Sequence, residues 1–373
     1  MRFPLLSRVL LVLLLAILPS GRVAAAPSRV VTDAVGRSMT IAAEVSRVIC
    51  SGPGCLRLLT YLQAEDLAVA VDDMETRTVR YLSRPYALAN PQLAALPLFG
   101  RSRGQDNPEL IVGLDPAPQL IFRTFADMGY DPRELEKKTG IPVVVLDYGD
   151  FGKKREAFYA ALRTMAGCLN RAERAEAVIA FFEKHRAELV RRTAAIAPEE
   201  RRSAYIGGVA FKGAHGFQAT DPTYLPFTLI NADNVAAAQP GTKEISHARV
   251  ERETLITWNP DFLFVDLATM QVGEGSGLHE LANDPAYQAL DAVGRGAVYA
   301  VPPLNSYATN YDSLLASAYF IGKTIYPGSF IDIDPVDTAD EIYAFLVGAP
   351  VFAAMDRTFS HSLFRRLPLH HVR

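Results

Sequence analysis

Two glutamates stand at matching places in two similar stretches of sequence. Glu109 opens ELIVGLDPAPQLIF and Glu253 opens ETLITWNPDFLFV, and in each a proline, Pro116 or Pro260, stands seven residues further on. A carboxylate in the first turn of a helix faces the positive end of the helix dipole, which favours it by about 0.3–1 kcal/mol. Either glutamate alone is accounted for in that way. Two at equivalent places in two units suit exposed carboxylates that dock onto a symmetric partner.

A second group of residues falls where apolar, strand-like runs end. Arg123 follows LIF, Tyr148 follows PVVVLD, Lys212 and His215 sit in FKGAHGFQATDP, and Tyr307 and Tyr311 lie in NSYATNYDS. Arg101 stands in the basic, glycine-flanked loop FGRSRGQDN. Aromatic rings stack on flat or apolar surfaces, while arginine and lysine meet anionic oxygens. Each of these residues also has a purely structural reading: a surface loop for Lys212, His215 and Arg101, packing beneath a following helix for one of the tyrosines. Trp258, inside the second glutamate stretch, reads as core.

Catalytic patterns are missing from the chain. There is no G-x-S-x-G, H-E-x-x-H or G-x-x-x-x-G-K-[ST], so neither a hydrolase of those types nor a P-loop ATPase is indicated. The seven histidines, at 185, 215, 247, 279, 361, 370 and 371, show no spacing that gathers three into a zinc- or manganese-type site.

The elements that must position these groups follow from pattern. RVICSGPG, LAVAVDD, PQLIF and PVVVLDY are short apolar runs alternating with helical segments, which predicts a parallel sheet covered on both faces. SAYIGGVAF, TLINADNVA, DFLFVD and AVYAVPP repeat the alternation in the second half, and VVTDAVGRSMTI near the start reads as a hairpin. Proline ends a helix, so each glutamate stretch reads as helix, turn, strand, with strands at 119–122 and 262–265. Residues 153–197 contain no proline and one glycine, Gly167, with apolar residues at helical spacing. They predict a long helical bridge, with Gly167 as a point where it divides. The expected fold is α/β: two lobes, each with a central, mostly parallel sheet flanked by helices. The divisions are residues 26–152, the bridge at 153–197, residues 198–346, and a C-terminal helix with a loosely ordered basic tail at 347–373.

At 373 residues, with 49% hydrophobic and 21% charged, the chain has ample material for two cores. Its N-terminus is distinct: Arg2 and Arg8 precede the apolar run 9–18, and Val23-Ala24-Ala25 offers a cleavage site. That is the pattern of a secretory signal over residues 1–25, and the run is too short to span a bilayer at about 20 residues per crossing. Loss of Arg2, Arg8 and Arg22 moves the formal charge from −3 to −6, an unfavourable balance for nucleic acid. No cysteine lies near the cleavage point to carry a lipid anchor. Of the three cysteines, Cys50 and Cys55 flank Ser-Gly-Pro-Gly: either a small disulfide loop or two small buried residues around a turn.

Export signal, two α/β lobes, a helical bridge, TDAVGRSMTI and the two glutamate stretches together resemble the periplasmic substrate-binding proteins of ABC importers that take up ferric siderophores, haem and cobalamin. The resemblance covers residues 28 to 346. It implies a soluble, monomeric periplasmic protein without intrinsic cofactor that is not an enzyme. Its ligand, a ferric siderophore-like chelate or a corrinoid, would lie between the lobes, with Arg101, Arg123, Tyr148, Lys212, His215, Tyr307 and Tyr311 as candidate contacts. Glu109 and Glu253 would meet arginines of the permease, whose ATPase subunits are separate chains. Binding of haem, cobalamin or a free metal ion, and a ligand-sensing subunit for a membrane receptor, are the alternatives.

Overall fold

A computed structural model describes residues 27–237 and 245–369. The expected signal segment at 1–25 lies outside the described residues, as do His370 and His371. The described chain opens with a hairpin, β1 (Ser28–Thr32) against β2 (Ser38–Ala42), with Ser28 opposite Ala42 and Thr32 opposite Ser38. Its turn is held by Asp33, whose carboxylate accepts from the N–H groups of Val35 and Arg37 at 3.1 and 2.9 Å, the local bonding that suits Asp to turns.

Six strands build the N-terminal lobe: β3 (Val48–Ser51), β4 (Ala68–Asp72), β5 (Leu98–Arg101), β6 (Gln105–Asp106), β7 (Leu120–Thr124) and β8 (Val143–Leu146). They lie in the order β6-β5-β4-β3-β7-β8, all parallel except β6, which returns antiparallel on β5. The sheet is buried on both faces, which is why VVVL and LIF run unbroken instead of alternating with polar residues. One face carries Ile49, Ile121 and Val143 against Phe99, Ile111 and Leu135. The other joins the main core, a single apolar cluster that continues through the second lobe.

The C-terminal lobe contains β9 (Ser203–Gly207), β10 (Ala219–Thr220), β11 (Asp233–Asn234), β12 (Ala248–Arg249), β13 (Phe262–Asp266) and β14 (Val298–Val301). Its parallel sheet has the order β11-β9-β13-β14, and β10 and β12 pair separately, antiparallel. The two glutamate stretches do form helix and strand in both lobes: Pro108–Val112 leads into β7, and Arg252–Trp258 into β13. Proline stands at the helix end only in the second, where Asn259, left-handed at φ 39°, precedes Pro260. The first helix stops earlier, at Gly113.

Residues 153–197 hold two helices, Arg155–Leu169 and Ala172–Thr193, folded back on each other. Arg163 pairs with Glu176 and Tyr159 with Glu183 across the hairpin. The division falls at Asn170 (φ 57°, ψ 40°) and not at Gly167, which lies within the first helix. Asn reaches the left-handed conformation at low cost, whereas a glycine inside a helix costs only about 1 kcal/mol and does not end it. The bridge is therefore the second helix alone, 22 residues and about 33 Å long. Near its start Arg174 bonds the carbonyls of Tyr61 and Phe345, and near its end Arg192 bonds Ser329 O and Asp332.

The end of the chain departs further from expectation. The helix Pro335–Val347, assigned from sequence to the second lobe, packs chiefly on the helix Tyr311–Ile325 and also touches the helices Cys55–Tyr61 and Pro85–Ala89 of the first. The basic tail is not loose over residues 363–369: Leu363, Phe364, Leu367 and Leu369 are buried. Phe364 N–H bonds Ala300 O at 3.1 Å and Leu367 N–H bonds Val298 O at 2.8 Å, so the tail extends the C-terminal sheet beyond β14. The apolar residues of this segment are interleaved with Arg365, Arg366 and Pro368, which masks the pattern of an edge strand.

Candidate functional site

Where the lobes meet, the segment Asn305–Asn310 of the C-terminal lobe reaches the ends of the N-terminal strands. Its contacts centre on Arg57, on the helix Cys55–Tyr61, which is fully buried. Arg57 Nη1 donates to Tyr148 Oη at 2.6 Å, and Nη2 donates to Ser306 O at 3.0 Å and Asn310 Oδ1 at 2.6 Å. Tyr148 Oη in turn donates to Thr309 O at 2.8 Å, and Asn310 Nδ2 donates to Ser83 O and Pro303 O at 3.0 and 2.9 Å. Tyr307 Oη donates to the carboxylate of Asp72 and accepts from Arg103 N–H at 2.9 Å. Burial pushes the Asp72 carboxyl up to about 7, against the bond from Tyr307. The open space left beside Asp72 and Tyr307 is only about 10 Å³.

Tyr148 and Tyr311, both candidates from sequence, are brought together. Their rings stack at 5.1 Å and 19°, and Tyr311 Oη donates to Tyr148 O and Gly149 O, each at 3.1 Å. Both are buried and engaged with protein. Gly54 (φ 75°) makes room for them, since a Cβ there would stand 2.3 Å from the Tyr148 ring.

Arg123 does not stand open at a strand mouth. It is fully buried, with Nη1 donating to Ser51 Oγ at 2.7 Å, to Gly104 O at 3.0 Å and to the Asp106 carboxylate. Nη2 donates to Tyr130 O at 3.2 Å and to Met128 O. The guanidinium thus pins the β5–β6 turn and the loop after β7 to the sheet, with both terminal nitrogens engaged within the lobe and Nε buried without a partner among the described residues. The signal was Gly104, left-handed at φ 67°, where any Cβ would overlap the guanidinium. Arg101 is exposed at the end of β5.

His215 lines a different place, a cavity of about 390 Å³ on the C-terminal lobe, and Lys212 stands beside it. It is lined by Val209, Phe211, His215, His247, Arg249 and Glu280, among others. Phe211 and His247 stack at 3.7 Å and 19°, and Lys212 Nζ lies 5.2 Å from the Phe211 ring centre. His215 Nε2–H donates to Phe211 O at 2.8 Å, which leaves Nδ1 with a free lone pair. His247 Nδ1 is buried and has no hydrogen-bond partner among the described residues. Burial lowers the His247 pKa, and His215 and Lys212 lower it further, so the ring is held neutral. The wall is fixed from behind: Thr269 Oγ1 donates to His215 O at 2.7 Å and Glu280 accepts from Phe217 N–H at 2.8 Å. His247 and Arg249 were not singled out from sequence, because nothing in SHARVERE distinguishes them from a surface loop. Among the described residues no group of three or more His, Cys, Asp or Glu is placed to hold a metal ion. The cavity offers ring faces, imidazole nitrogens and cations, which suits a flat or anionic ligand.

Glu109 and Glu253 are exposed, each in the first turn of its helix. Asn107 caps the first, accepting from Glu109 and Leu110 N–H at 3.0 and 3.2 Å. Leu110 and Val112 beside Glu109 are 47% and 58% exposed, and Trp258, which the sequence placed in the core, is 38% exposed near Glu253.

Comparison with known proteins places the architecture. The family model described as periplasmic binding protein matches residues 48–304. The molybdate-binding protein MolA of Haemophilus influenzae is 22% identical over 354 residues, covering 89% of this chain and 94% of that protein. A periplasmic solute-binding protein of Veillonella parvula superposes with a TM-score of 0.68 at 18% identity, covering 90% of this chain and 97% of its own. The periplasmic haem-binding protein HutB of Vibrio cholerae gives 0.55 at 19% identity, covering 75% and 99%.

Proposed function

The chain belongs to the periplasmic binding protein family, solute-binding proteins and not enzymes, and from that premise we propose that it captures a metal chelate of ferric siderophore type and delivers it to an ABC permease. The observation that carries this reading is the C-terminal cavity, which the Phe211–His247 stack, His215 and Arg249 line, with Lys212 beside the Phe211 ring. A chelate presents flat ligand surfaces and anionic oxygens, and these groups answer both. Neutral imidazoles also have lone pairs for an open position on a chelated metal. Tyr148, Tyr307 and Tyr311 hold the lobe junction, away from this cavity, and no intrinsic cofactor is required.

Glu109 and Glu253, exposed on opposite lobes, are the residues proposed to meet permease arginines, one on each half. The protein acts as a monomer in the periplasm after removal of its signal segment, and ATP hydrolysis belongs to separate subunits. The bridging helix and the hydrogen bonds between the lobes favour small closure on binding.

A second reading, capture of a tetrahedral oxyanion, is favoured by the similarity to the molybdate-binding protein and by the same cations. Thermal shift and calorimetric titration with a ferric catecholate, a ferric hydroxamate, haem, cobalamin and molybdate separate the two. Under the chelate reading an iron chelate raises the melting temperature by several degrees and His247→Ala weakens its binding at least tenfold. A response to molybdate alone replaces the first reading by the second, and no response from any probe removes both.

A further inference from the structure

Two of the three cysteines form a pair beneath the lobe junction. Cys50 is the third residue of β3 and Cys55 the first of the helix Cys55–Tyr61. Both are buried, at 7% and 0% exposure, both are free thiols in this structure, and both side chains face the same core, on the opposite side of the sheet from Ile49. The third, Cys168, is buried on the helix Arg155–Leu169 with Arg29 as its charged neighbour.

The loop between the paired thiols has little freedom. Gly52 and Gly54 are left-handed at φ 89° and 75°, and Cys55 N–H closes back on Gly52 O at 3.3 Å. A Cβ at Gly52 would stand 2.6 Å from Thr124 O, and one at Gly54 would enter the Tyr148 ring. Two residues beyond Cys55 comes Arg57, which holds Tyr148, Ser306 and Asn310. The strand end, the tight loop and the first helical turn therefore form one brace under the interface.

We propose that Cys50 and Cys55 are joined by a disulfide in the exported protein, and that this bond fixes the brace. The proposal rests on the periplasmic location that comes with the family, and not on the identity of the ligand. Disulfides persist in that compartment. In forming the bond the two thiols lose two protons and two electrons; a disulfide-type oxidant, such as a thiol–disulfide oxidoreductase, takes them up and becomes a dithiol. Exchange requires a thiolate with access to its partner. Both sulfurs are sealed in the folded chain, and burial, together with the contact to Cys50, raises the Cys55 pKa well above the ordinary thiol range. The bond is therefore made while the chain is still unfolded after export, and afterwards resists reduction until the lobe opens.

The test uses the full mature chain purified from periplasm, alkylated under denaturing conditions without reductant and mapped by mass spectrometry. The expected result is alkylation of Cys168 alone, with the Cys50–Cys55 peptide lighter by two hydrogens, and alkylation of all three cysteines after reduction. Three alkylated cysteines without reduction, or a bond that includes Cys168, overturns the proposal. A second readout is thermal unfolding. Reductant lowers the melting temperature of the wild type and of Cys168→Ser but leaves the Cys50→Ser/Cys55→Ser double variant unchanged; equal sensitivity in all three refutes the brace. Ligand binding measured on the same samples reports on the cavity independently, so failure of one reading leaves the other standing.

Discussion

The hydroxyl of Tyr307 in the C-terminal lobe donates to the buried carboxylate of Asp72 in the N-terminal lobe, while the same oxygen accepts from Arg103 N–H at 2.9 Å. The backbone that delivers it is unusual. Tyr307 and Ala308 are consecutive non-glycine residues at φ 53° and 82°, a conformation that costs of order 1–3 kcal/mol per residue.

Two substitutions separate the bond from the strain. Tyr307→Phe removes one of the two donors to the Asp72 carboxylate, Met74 N–H being the other, and lowers unfolding stability by about 1–3 kcal/mol. Ala308→Gly relieves the left-handed position and raises stability by about 0.5–1 kcal/mol. Urea unfolding at pH 7 measures both, and a stabilised Tyr307→Phe variant contradicts the role given to the bond.

Acidity enters through the same carboxylate. Burial raises Asp72 and Asp266 to about 7 and Asp221 to about 6, well above the range of an exposed aspartate. The folded state thus holds protons that the unfolded chain has already released, so this contribution is present in full only below the ordinary aspartate pKa of about 3.9 and is lost as pH rises through 7. Denaturant midpoints should fall between pH 5 and pH 8. In Asp72→Asn that fall becomes shallower, and an unchanged slope would remove Asp72 from the account.

Arg123→Met tests the correction made to the sequence reading. Removing the cation leaves Asp106 buried without its partner, for which about 3–5 kcal/mol is lost. Arg101→Met, at an exposed position, changes stability by less than about 0.5 kcal/mol. If Arg123→Met folds with wild-type stability and loses only ligand affinity, the arginine faces the ligand after all.

Charge reversal at the two tips separates docking from capture. Glu109→Arg and Glu253→Arg are expected to retain ligand affinity within twofold. Under the proposed docking, transport through the cognate permease in vesicles falls at least tenfold for either, because the carboxylate–arginine contact would be replaced by like-charge repulsion. Transport at the wild-type rate in both variants removes these residues from the docking surface.

The sheets, the N-terminal hairpin and the glutamate stretches were legible because each rests on local pattern: apolar runs, turn residues, and a helix leading to a strand. Arg123 was misread because the groups that bury it, Ser51 and Asp106, come from elsewhere in the chain. Arg57 was not singled out, because one arginine in the helical run CLRLLTYL carries no local signal, and only the fold reveals that it holds the contact between lobes. Asn170 lost to Gly167 as the helix break because glycine is the commoner stop. His247 and Arg249 became visible only when β10 and β12 brought their loop onto Phe211.

The C-terminal path has a consequence for how the molecule comes apart. The chain crosses from the first lobe to the second along Ala172–Thr193, returns with Pro335–Val347, and crosses again so that residues 363–369 close the edge of the second sheet. Stitched in this way, neither lobe can be cut out as an autonomous folding unit by dividing the sequence once. Melting should therefore be a single calorimetric event whose van't Hoff and calorimetric enthalpies agree, and trimming the last few turns of chain should loosen both lobes together.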